Sequence, residues 1–347
     1  MKIKITKKLI IDEKKPPLII AEISGNHKGK KSRFLQLIRS ACENGADLIK
    51  IQTYEPKDIT LLKKEKYLKI THGIWKGKYL KDLYEKACTP FSWHKEAFDI
   101  AKKYKKTIFS SPFSIRGVDF LEKLKVPLYK IASFEITDLN LIDYIASKKK
   151  PIIISTGMAE INEVERAIKI IKKYHKKIII LHCVSNYPTL LKDTNLKRIQ
   201  LLKKRFKNYS IGLSDHTNNI YSSIASVALG VSVIEKHYNI DNIKTPDSLF
   251  SINSKMLRDL KNISNDIHES LKKNKKKIFY KKNYVFRRSL FSKKNIEKNE
   301  RISIKNIQAL RPLVGIKSEK IFNIIGLRTK KKILKDQPIF FRDLSRK

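Results

Sequence analysis

The regular alternation of short apolar runs with amphipathic runs is the feature that most constrains what this chain can fold into. Eight runs of strand length occur, each followed by a run with helical spacing. The predicted strands are 18–23, 47–52, 107–111, 128–132, 151–155, 177–183, 209–213 and 232–235. The predicted helices are 31–44, 92–104, 115–124, 139–147, 161–174, 196–206, 219–229 and 254–271. Because apolar strands that alternate with helices are typical of parallel sheets with both faces covered, this order predicts an α/β fold, a (β/α)8 TIM barrel.

An open, doubly wound parallel sheet is the alternative fold. Such sheets often bind dinucleotides through a GxGxxG turn after the first strand. No such motif follows the first predicted strand, 18–23. Nothing in the sequence therefore favours a dinucleotide-binding fold over the barrel.

Polar side chains stand at the carboxyl end of almost every predicted strand, where barrel enzymes place their active sites. Serine and threonine at these positions also commonly cap helices. Lys50 and Lys130 lie within apolar strands, where an unpaired ammonium is costly to bury. Two inward lysines among hydroxyl groups predict a socket for a phosphate or carboxylate. The polar residues at the strand ends are Glu22, Lys50, Gln52, Ser110, Ser111, Lys130, Ser133, Ser155, Thr156, His182, Ser185, Tyr187, Ser214, His216, Glu235 and His237.

Two of these residues, His216 and His237, occupy matched positions after neighbouring predicted strands, and each has a carboxylate close by, Asp215 or Glu235. Neutral imidazoles without a nearby cysteine suit a divalent metal that keeps positions open for water and substrate. The pair therefore predicts a metal site at the catalytic face.

A long insertion, residues 54–94, follows the second predicted strand and carries Trp75 among several aromatic residues. A loop of this size at a catalytic face predicts a lid or a substrate wall. We assign no role to His72 or His94. Further along, a barrel domain at 1–270 is followed by a lysine-rich linker at 271–283 and a small β-rich domain at 284–347.

The composition of the chain indicates which classes of partner and which cellular location to expect. The chain has 76 basic and 33 acidic residues and a formal net charge of +43. The lysines are spread over nearly every predicted helix, which indicates a solvated surface, so we expect no nucleic-acid partner. Three widely spaced cysteines indicate reduced thiols rather than disulfides. With no apolar N-terminal segment and no run of membrane-spanning length, we expect no membrane partner and a cytoplasmic protein.

Eight different short motifs occur along the chain. They are AEISGNH at 21–27, IKIQTY at 49–54, TPFSWH at 89–94, SSPF at 110–113, YKIASFE at 129–135, STGMA at 155–159, GLSDHT at 212–217 and IEKHY at 234–238. Together they resemble the sialic acid synthase family, whose enzymes condense phosphoenolpyruvate with an N-acetylated sugar. The segments QTY, TPFSWH, KIASFE and 247–251 are similar to the pseudaminic acid branch, with the N-acetylneuraminate and legionaminic acid branches as alternatives.

The resemblance implies a TIM barrel, a C-terminal antifreeze-protein-like (SAF) domain at about 284–347, and a transferase that works as a domain-swapped homodimer. It implies that His216 and His237 hold a divalent ion such as Mn²⁺, Mg²⁺ or Co²⁺, with Glu22 and Asp247 as further catalytic residues. The implied substrate-binding residues are Lys50, Gln52, Ser111, Lys130, Ser133, Ser155, Ser185, Tyr187, Ser214 and, from the partner subunit, Arg311. A metal-dependent barrel aldolase is the less favoured alternative, because it has no need of the paired lysines and the serines.

Overall fold

The computed structural model describes residues 2–272 and 282–345. Main-chain proximity divides the chain into two compact units, Met1–Lys272 and Lys273–Lys347. Most of the predicted linker, 271–283, lies outside the described residues. Within those residues, no helix is both long enough and apolar enough to cross a membrane.

The first unit is built on a closed barrel of eight parallel strands. Two short antiparallel strands, β1 (Lys2–Lys4) and β2 (Ile10–Asp12), precede it. The barrel strands are β3 (Leu18–Glu22), β4 (Leu48–Thr53), β5 (Thr107–Pro112), β6 (Tyr129–Ile131), β7 (Ile152–Ser155), β8 (Ile178–Cys183), β9 (Ser210–Asp215) and β10 (Val233–His237). They pair in chain order, and β10 closes the ring on β3. This closure confirms the predicted TIM barrel and excludes the open sheet, which would leave two edges unpaired.

Helices surround the barrel and bury one apolar face each. They are α1 (Lys31–Glu43), α2 (Leu80–Ala87), α3 (Phe91–Lys103), α4 (Ile115–Lys123), α5 (Leu139–Ser147), α6 (Ile161–Lys172), α7 (Lys197–Arg205), α8 (Tyr221–Ala228) and α9 (Ser254–Ser270). In α6, for example, Val164, Ala167, Ile168 and Ile171 are buried at helical spacing. The predicted helices agree with these bounds to within two residues, but α2, inside the insertion, was not predicted.

Strands β9 and β10 run two residues further than predicted, to Asp215 and His237. The prediction ended them where polar residues begin. In the fold, the polar side chains alternate between the two faces of the sheet and find partners on both. On the outer face, Lys236 Nζ lies 3.4 Å from Asp215 Oδ2, and two serines of α8 donate hydrogen bonds to the same carboxylate. Satisfied polar groups therefore do not end these strands.

The amino-terminal half of the barrel interior is filled by apolar side chains. They come from β3, β4, β5, β7, β8 and β10 and from Leu128 just before β6, and the hairpin β1–β2 adds three isoleucines. The cluster contains Ile3, Ile5, Ile11, Ile20, Leu48, Phe109, Leu128, Ile153, Ile179, Leu181 and Val233. Because this end is closed by packed side chains, polar chemistry is confined to the carboxyl end of the strands.

The insertion at 54–94 packs onto the carboxyl-terminal face of the barrel. Trp75 Nε1 donates a hydrogen bond to the carbonyl oxygen of Pro246, at 3.2 Å. Near the end of α2, His27 Nε2 lies 3.2 Å from the carbonyl oxygen of Ala87. The first contact places Trp75 beside the segment that follows β10, and a role of the insertion as a lid or substrate wall stays a prediction.

The second unit is a small β-rich domain with its own core, as predicted. Its strands are β11 (Ser289–Ser292), β12 (Ile307–Leu310), β13 (Arg328–Thr329) and β14 (Leu344–Ser345), paired as β11 with β12 and β13 with β14. The core consists of Leu290, Ile296, Ile302, Ile307, Ile316, Ile324, Ile333, Ile339 and Leu344. An independent core of this kind is what defines a separate domain.

Candidate active site

Two buried lysines lie among carboxylates at the carboxyl ends of the barrel strands. Lys50 Nζ is 2.8 Å from Glu235 Oε1 and 3.3 Å from Glu22 Oε2. Lys130 Nζ is 3.4 Å from the same oxygen of Glu235. Gln52 donates a hydrogen bond to Glu22, and Ser214 donates one to Glu235. The structure thus brings three predicted substrate-binding residues, Lys50, Lys130 and Ser214, into contact with Glu235, which the sequence analysis noted only as a carboxylate at a strand end.

Burial and mutual charge set the protonation of this cluster. Burial alone would raise the pKa of Glu235, but Lys130 and Lys50 lower that pKa to about 2. Burial favours a neutral Lys50, but Glu22 and Glu235 outweigh it and raise the pKa of Lys50. Burial raises the pKa of Glu22 despite the neighbouring Lys50. The cluster therefore contains a charged lysine, an ionised Glu235 and a Glu22 that binds a proton more readily than an exposed glutamate.

A set of serines forms a cradle beside the lysines. In the part of the chain that the structure describes, the buried hydroxyl oxygens of Ser111, Ser155 and Ser185 have no hydrogen-bond partner. Ser133 Oγ accepts a hydrogen bond from the backbone N–H of Gly157 at 3.1 Å. A Cβ atom on Gly157 would lie 2.1 Å from Ser185 Oγ, so only glycine leaves room for these hydroxyls. Because an unpaired buried hydroxyl costs free energy, the cradle is suited to a ligand with several acceptor oxygens.

The two predicted metal ligands face each other, with ring centroids 5.3 Å apart. His216 Nδ1 lies 2.8 Å from the carbonyl oxygen of Val184, to which it donates. His237 Nδ1 lies 3.5 Å from Asp247 Oδ2. His216 Nδ1 therefore has a backbone acceptor, whereas His237 Nδ1 faces the Asp247 carboxylate without a hydrogen bond among the described residues. With Nδ1 of each ring turned to a protein oxygen, Nε2 is the atom left for a metal. Burial lowers the pKa of His237 to about 4, so this ring is neutral and able to bind a metal.

The chain supplies few further ligands to such an ion. Among residues 2–272 and 282–345, no group of three or more His, Cys, Asp or Glu residues comes close enough to hold a metal. Two imidazoles fit an open site whose other positions are taken by water and substrate. The donor set therefore fits a catalytic ion but does not specify which one.

Three aromatic side chains, Trp75, Tyr187 and Phe250, form what we call the aromatic wall. The ring centroid of Tyr187 is 4.3 Å from that of His216, and the centroid of Phe250 is 4.8 Å from that of His237. Tyr187 and Phe250 are 5.1 Å apart, and Trp75 lies 5.6 Å from Tyr187. The wall thus begins at the histidines and continues outward to the insertion.

Asp247 and Phe250 are carried by the segment between β10 and α9, which is tied firmly to the barrel. The backbone N–H of Gly25 donates to Asp247 Oδ2 at 3.2 Å. Arg33 in α1 donates to both carboxylate oxygens of Asp241, at 2.6 and 2.8 Å. Such paired hydrogen bonds hold a segment in one orientation, which keeps Asp247 against His237.

Not every polar residue at the strand ends joins the site. Ser110 Oγ lies 2.6 Å from Thr53 Oγ1, and Thr156 donates to the carbonyl oxygen of Leu181. His182 Nε2 lies 2.7 Å from the carbonyl oxygen of Thr194. All three therefore have hydrogen-bond partners away from the lysines and histidines. Asp215 likewise pairs with Lys236 on the outer face of the sheet, which faces the helices. Successive side chains of a strand point to opposite faces of the sheet, so these residues face away from the barrel interior, where the site lies.

One predicted site residue belongs to the small unit, and two histidines to which we assigned no role have other partners. Arg311 directly follows β12 in the small unit, where its side chain is exposed. His94 is buried beside Thr53, and His72 is exposed next to Thr71. Phe250 and Trp75 were not predicted as site residues, and the only signal for Trp75 was the length of its insertion.

Comparison with known proteins places these features in a family. Residues 37–276 match the NeuB family and residues 287–345 match the SAF domain. The chain is 38% identical to the pseudaminic acid synthase of Helicobacter pylori, over 95% of this chain and 98% of that protein. It is 36% identical to an N,N'-diacetyllegionaminic acid synthase of Campylobacter jejuni, over 94% of this chain and 99% of that protein.

Solved structures agree with this assignment. The N-acetylneuraminic acid (sialic acid) synthetase of Leptospira borgpetersenii, solved with citrate, superposes with a TM-score of 0.72. It is 30% identical, and the match covers 79% of this chain and 91% of that one. These matches confirm the resemblance carried by the motifs: the chain belongs to the NeuB family and carries a SAF domain.

Proposed function

We propose that the protein is a pseudaminic acid synthase, a transferase that condenses phosphoenolpyruvate with 2,4-diacetamido-2,4,6-trideoxy-β-L-altropyranose and releases phosphate. The observation that carries the proposal is the anion socket beside the two histidines. Two buried lysines and three serine hydroxyls without partners among the described residues fit phosphoenolpyruvate, which carries both a phosphate and a carboxylate. Family membership and the 38% identity to a pseudaminic acid synthase support the choice of reaction.

The residues of the socket suit each step of this condensation. C3 of phosphoenolpyruvate attacks the aldehyde carbon of the open-chain sugar, and a new carbon–carbon bond forms. Water adds to C2, the bond between C2 and the phosphate oxygen breaks, and phosphate leaves with the electron pair. Lys50, Lys130 and the serines Ser111, Ser133, Ser155, Ser185 and Ser214 bind the anionic groups and stabilise the departing phosphate.

A divalent ion, Mn²⁺, Mg²⁺ or Co²⁺, would be held by His216 and His237. When bound, it supplies Lewis-acid polarisation of the aldehyde oxygen. The chain's own part is to present both rings in the correct tautomer. Val184 does so for His216 through its carbonyl oxygen, and Asp247 does so for His237 through its carboxylate.

Glu22 is the residue we propose to accept the proton of the attacking water, with Asp247 as the alternative. Glu22 is fully buried next to Lys50, and burial raises its pKa. A carboxylate whose pKa approaches the working pH is better suited to accept and return a proton than an ordinary one. Gln52 holds Glu22 Oε1 at 3.1 Å and so orients it.

Further parts of the proposal concern the whole protein. We propose domains at 1–270 and 284–347 joined by a linker at 271–283, a cytoplasmic location, and a domain-swapped homodimer. In that dimer, Arg311 of the SAF domain contacts the N-acetyl group of a sugar bound to the other subunit. A metal-dependent aldolase would need the histidines but not the socket, so the buried lysines and serines argue against it.

A panel of sugars tests the proposal. Purified protein is given phosphoenolpyruvate, Mn²⁺ and one of three sugars: the altrose derivative named above, its 2,4-diacetamido-2,4,6-trideoxymannose isomer, or N-acetylmannosamine. We expect phosphate release to be fastest with the altrose derivative. Faster release with the mannose derivative or N-acetylmannosamine would assign the protein to the legionaminic or N-acetylneuraminate branch, and no release with any sugar would refute a synthase.

A further inference from the structure

Two members of the aromatic wall, Trp75 and Phe250, have a property that carbon–carbon bond formation does not require: they are apolar. Phe250 is buried, at 1% exposure, and has no polar side-chain atom. The one polar atom of the Trp75 side chain, Nε1, is already engaged with the carbonyl oxygen of Pro246 at 3.2 Å. Because Phe250 is packed against the other rings, the surface that remains for a ligand at this end of the wall is the hydrocarbon of the partly buried Trp75 ring.

The aromatic wall has an inner end at the two histidines and an outer end at Trp75. Its inner members lie on the histidines, Tyr187 at 4.3 Å from His216 and Phe250 at 4.8 Å from His237 between ring centroids. Trp75 contacts the rings of Tyr187 and Phe250, at 5.6 and 6.2 Å. Across the described ranges 2–272 and 282–345, Trp75 has no ring contact with either histidine. Trp75 is thus the member of the wall furthest from the reacting end.

We propose that the aromatic wall binds the far end of the sugar and selects a methyl group over a hydroxymethyl group at C6, with Trp75 as the main determinant. This rests on the proposed function, since it takes the aldehyde carbon, C1, to lie at the two histidines. In an open six-carbon chain, C6 is at the opposite end from C1. A chain that starts at the histidines and follows the wall brings C6 to Trp75.

The physical basis is the cost of leaving a hydroxyl without a partner. A methyl group packs against aromatic rings with a gain in buried apolar area. A hydroxyl in the same place loses its hydrogen bonds to water and finds no replacement on Trp75 or Phe250. Apolar sites reject an added hydroxyl only moderately, by about 10- to 100-fold in kcat/KM. The predicted preference is therefore of that size and no larger.

The test compares two sugars that differ only at C6. Phosphate release is measured with 2,4-diacetamido-2,4,6-trideoxyaltrose and with its counterpart that keeps the 6-hydroxyl. For the wild type we expect kcat/KM to favour the 6-deoxy sugar by about 10- to 100-fold. In Trp75→Ala that ratio should fall about 5-fold or more, while the KM for phosphoenolpyruvate stays unchanged.

Two further variants distinguish a role of Trp75 in sugar specificity from a role in holding the insertion in place. Trp75→Phe keeps a ring but lacks Nε1, and should retain most of the ratio. Tyr67→Ala removes a 71% exposed aromatic from the same insertion and should leave the ratio unchanged. A purely structural role for Trp75 would slow both sugars equally and keep the ratio constant, which would overturn the assignment.

The possible failures are distinguishable. If the wild type uses both sugars with equal kcat/KM, the wall does not select at C6, although the synthase activity stands. If neither sugar releases phosphate, the proposed function itself fails, and the assignment of the wall fails with it. A ratio that falls in Trp75→Ala and is kept in Trp75→Phe supports the inference.

Discussion

At the scale of single residues, the site is governed by how buried charges are compensated. Lys50 and Lys130 share one carboxylate, Glu235, and among the residues that the structure describes only Lys50 has a second one, Glu22, at 3.3 Å. Burial lowers the pKa of Lys130, and Glu235 opposes this shift. Lys130 is therefore the lysine with the less complete set of partners, and an arriving anion gains most from it.

The first prediction follows from that difference. Lys130→Met keeps most of the side-chain volume and removes the charge, so the fold should survive. Phosphoenolpyruvate should bind more weakly by about 2 to 4 kcal/mol, the scale of a lost buried charge contact. Titration calorimetry measures this, with Lys95→Met as the control because the Lys95 side chain is 78% exposed. Equal affinity in Lys130→Met and wild type would show that the socket is wrongly assigned.

A second residue-scale prediction concerns Glu135, in the KIASFE motif. Its Oε2 atom is buried and has no hydrogen-bond partner among the described residues. Burial raises the pKa of Glu135 to about 7, although Lys130 lowers it in part. Because the folded-state pKa is raised above the unfolded value, the protonated carboxyl stabilises the fold at low pH. This stabilisation is lost as the pH rises from about 4.5 through 7.

Glu135→Gln removes the titration while keeping the shape. Relative to wild type, the variant should gain about 2 to 3 kcal/mol of unfolding free energy between pH 5 and pH 8, at about 1.4 kcal/mol for each unit of pKa shift. Urea unfolding at the two pH values gives the difference for each protein. A difference between variant and wild type that does not change with pH would contradict the buried, neutral carboxyl.

At the scale of elements, β9 and β10 carry the chemistry because their polar residues alternate. Ser214 and Glu235 face into the barrel, whereas Asp215 and Lys236 pair on the outer face. The outer pair is fully enclosed, and Lys236 also donates to the carbonyl oxygen of Thr217 at 2.5 Å. It joins the ends of the two strands that present the histidines.

We expect Lys236 and Asp215 to stabilise the fold as a pair, so that removing one partner costs more unfolding free energy than removing both. Lys236→Met leaves Asp215 buried without its cation and should cost about 3 to 5 kcal/mol of unfolding free energy. The double variant Lys236→Met with Asp215→Asn should recover a large part of that loss. Chemical denaturation of the single and double variants measures the coupling. Equal losses in both would show that the pair does not act as a unit.

The same two strand ends predict metal dependence. EDTA should abolish phosphate release and Mn²⁺ should restore it. In His237→Ala, Mn²⁺ binding measured by calorimetry should be lost at concentrations that saturate the wild type, because one of two protein ligands is gone. His268→Ala is the control, since His268 lies on α9, where its ring is half-buried and contacts the carbonyl oxygen of Lys14. Full Mn²⁺ affinity in His237→Ala would remove these histidines from the metal site.

At the scale of the whole molecule, the chain carries two units with separate cores, and our proposal that Arg311 acts on a sugar bound by the other subunit is a prediction at this scale. Arg311 lies in the small unit and the histidines in the barrel. The planar guanidinium of arginine can hydrogen-bond an amide carbonyl in a fixed orientation that a lysine holds less well. If the two residues act across subunits, neither subunit alone completes the site.

Mixing of two inactive variants tests this arrangement. Arg311→Ala and His216→Ala should each be nearly inactive. After subunit exchange, a heterodimer contains one intact site, so an equimolar mixture should recover about one quarter of the wild-type activity. Each variant taken through the same exchange alone is the control. Demonstrated exchange without recovered activity would show that Arg311 does not act in trans.

The sequence by itself determined the class of fold and most of the residues that can do chemistry. Eight apolar strands alternating with amphipathic helices require a parallel sheet covered on both faces, and the helix bounds were predicted to within two residues. Lys50 and Lys130 were identifiable because a charged side chain within an apolar strand is costly to bury unless it has a partner. His216 and His237 were identifiable because they stand at matched positions after neighbouring predicted strands. These signals are local, so they can be read along the chain.

Only the tertiary structure decided which residues meet. Glu235 became the shared partner of two lysines because closure of the barrel brings β10 beside β3 and fixes the register. Asp215 follows the inward Ser214 on β9, so it lies on the outer face, where it pairs with Lys236. Trp75 and Phe250 come from segments far apart in sequence and form one wall only when both fold over the barrel. Such contacts depend on the relative positions of distant elements, which no local pattern of residues encodes.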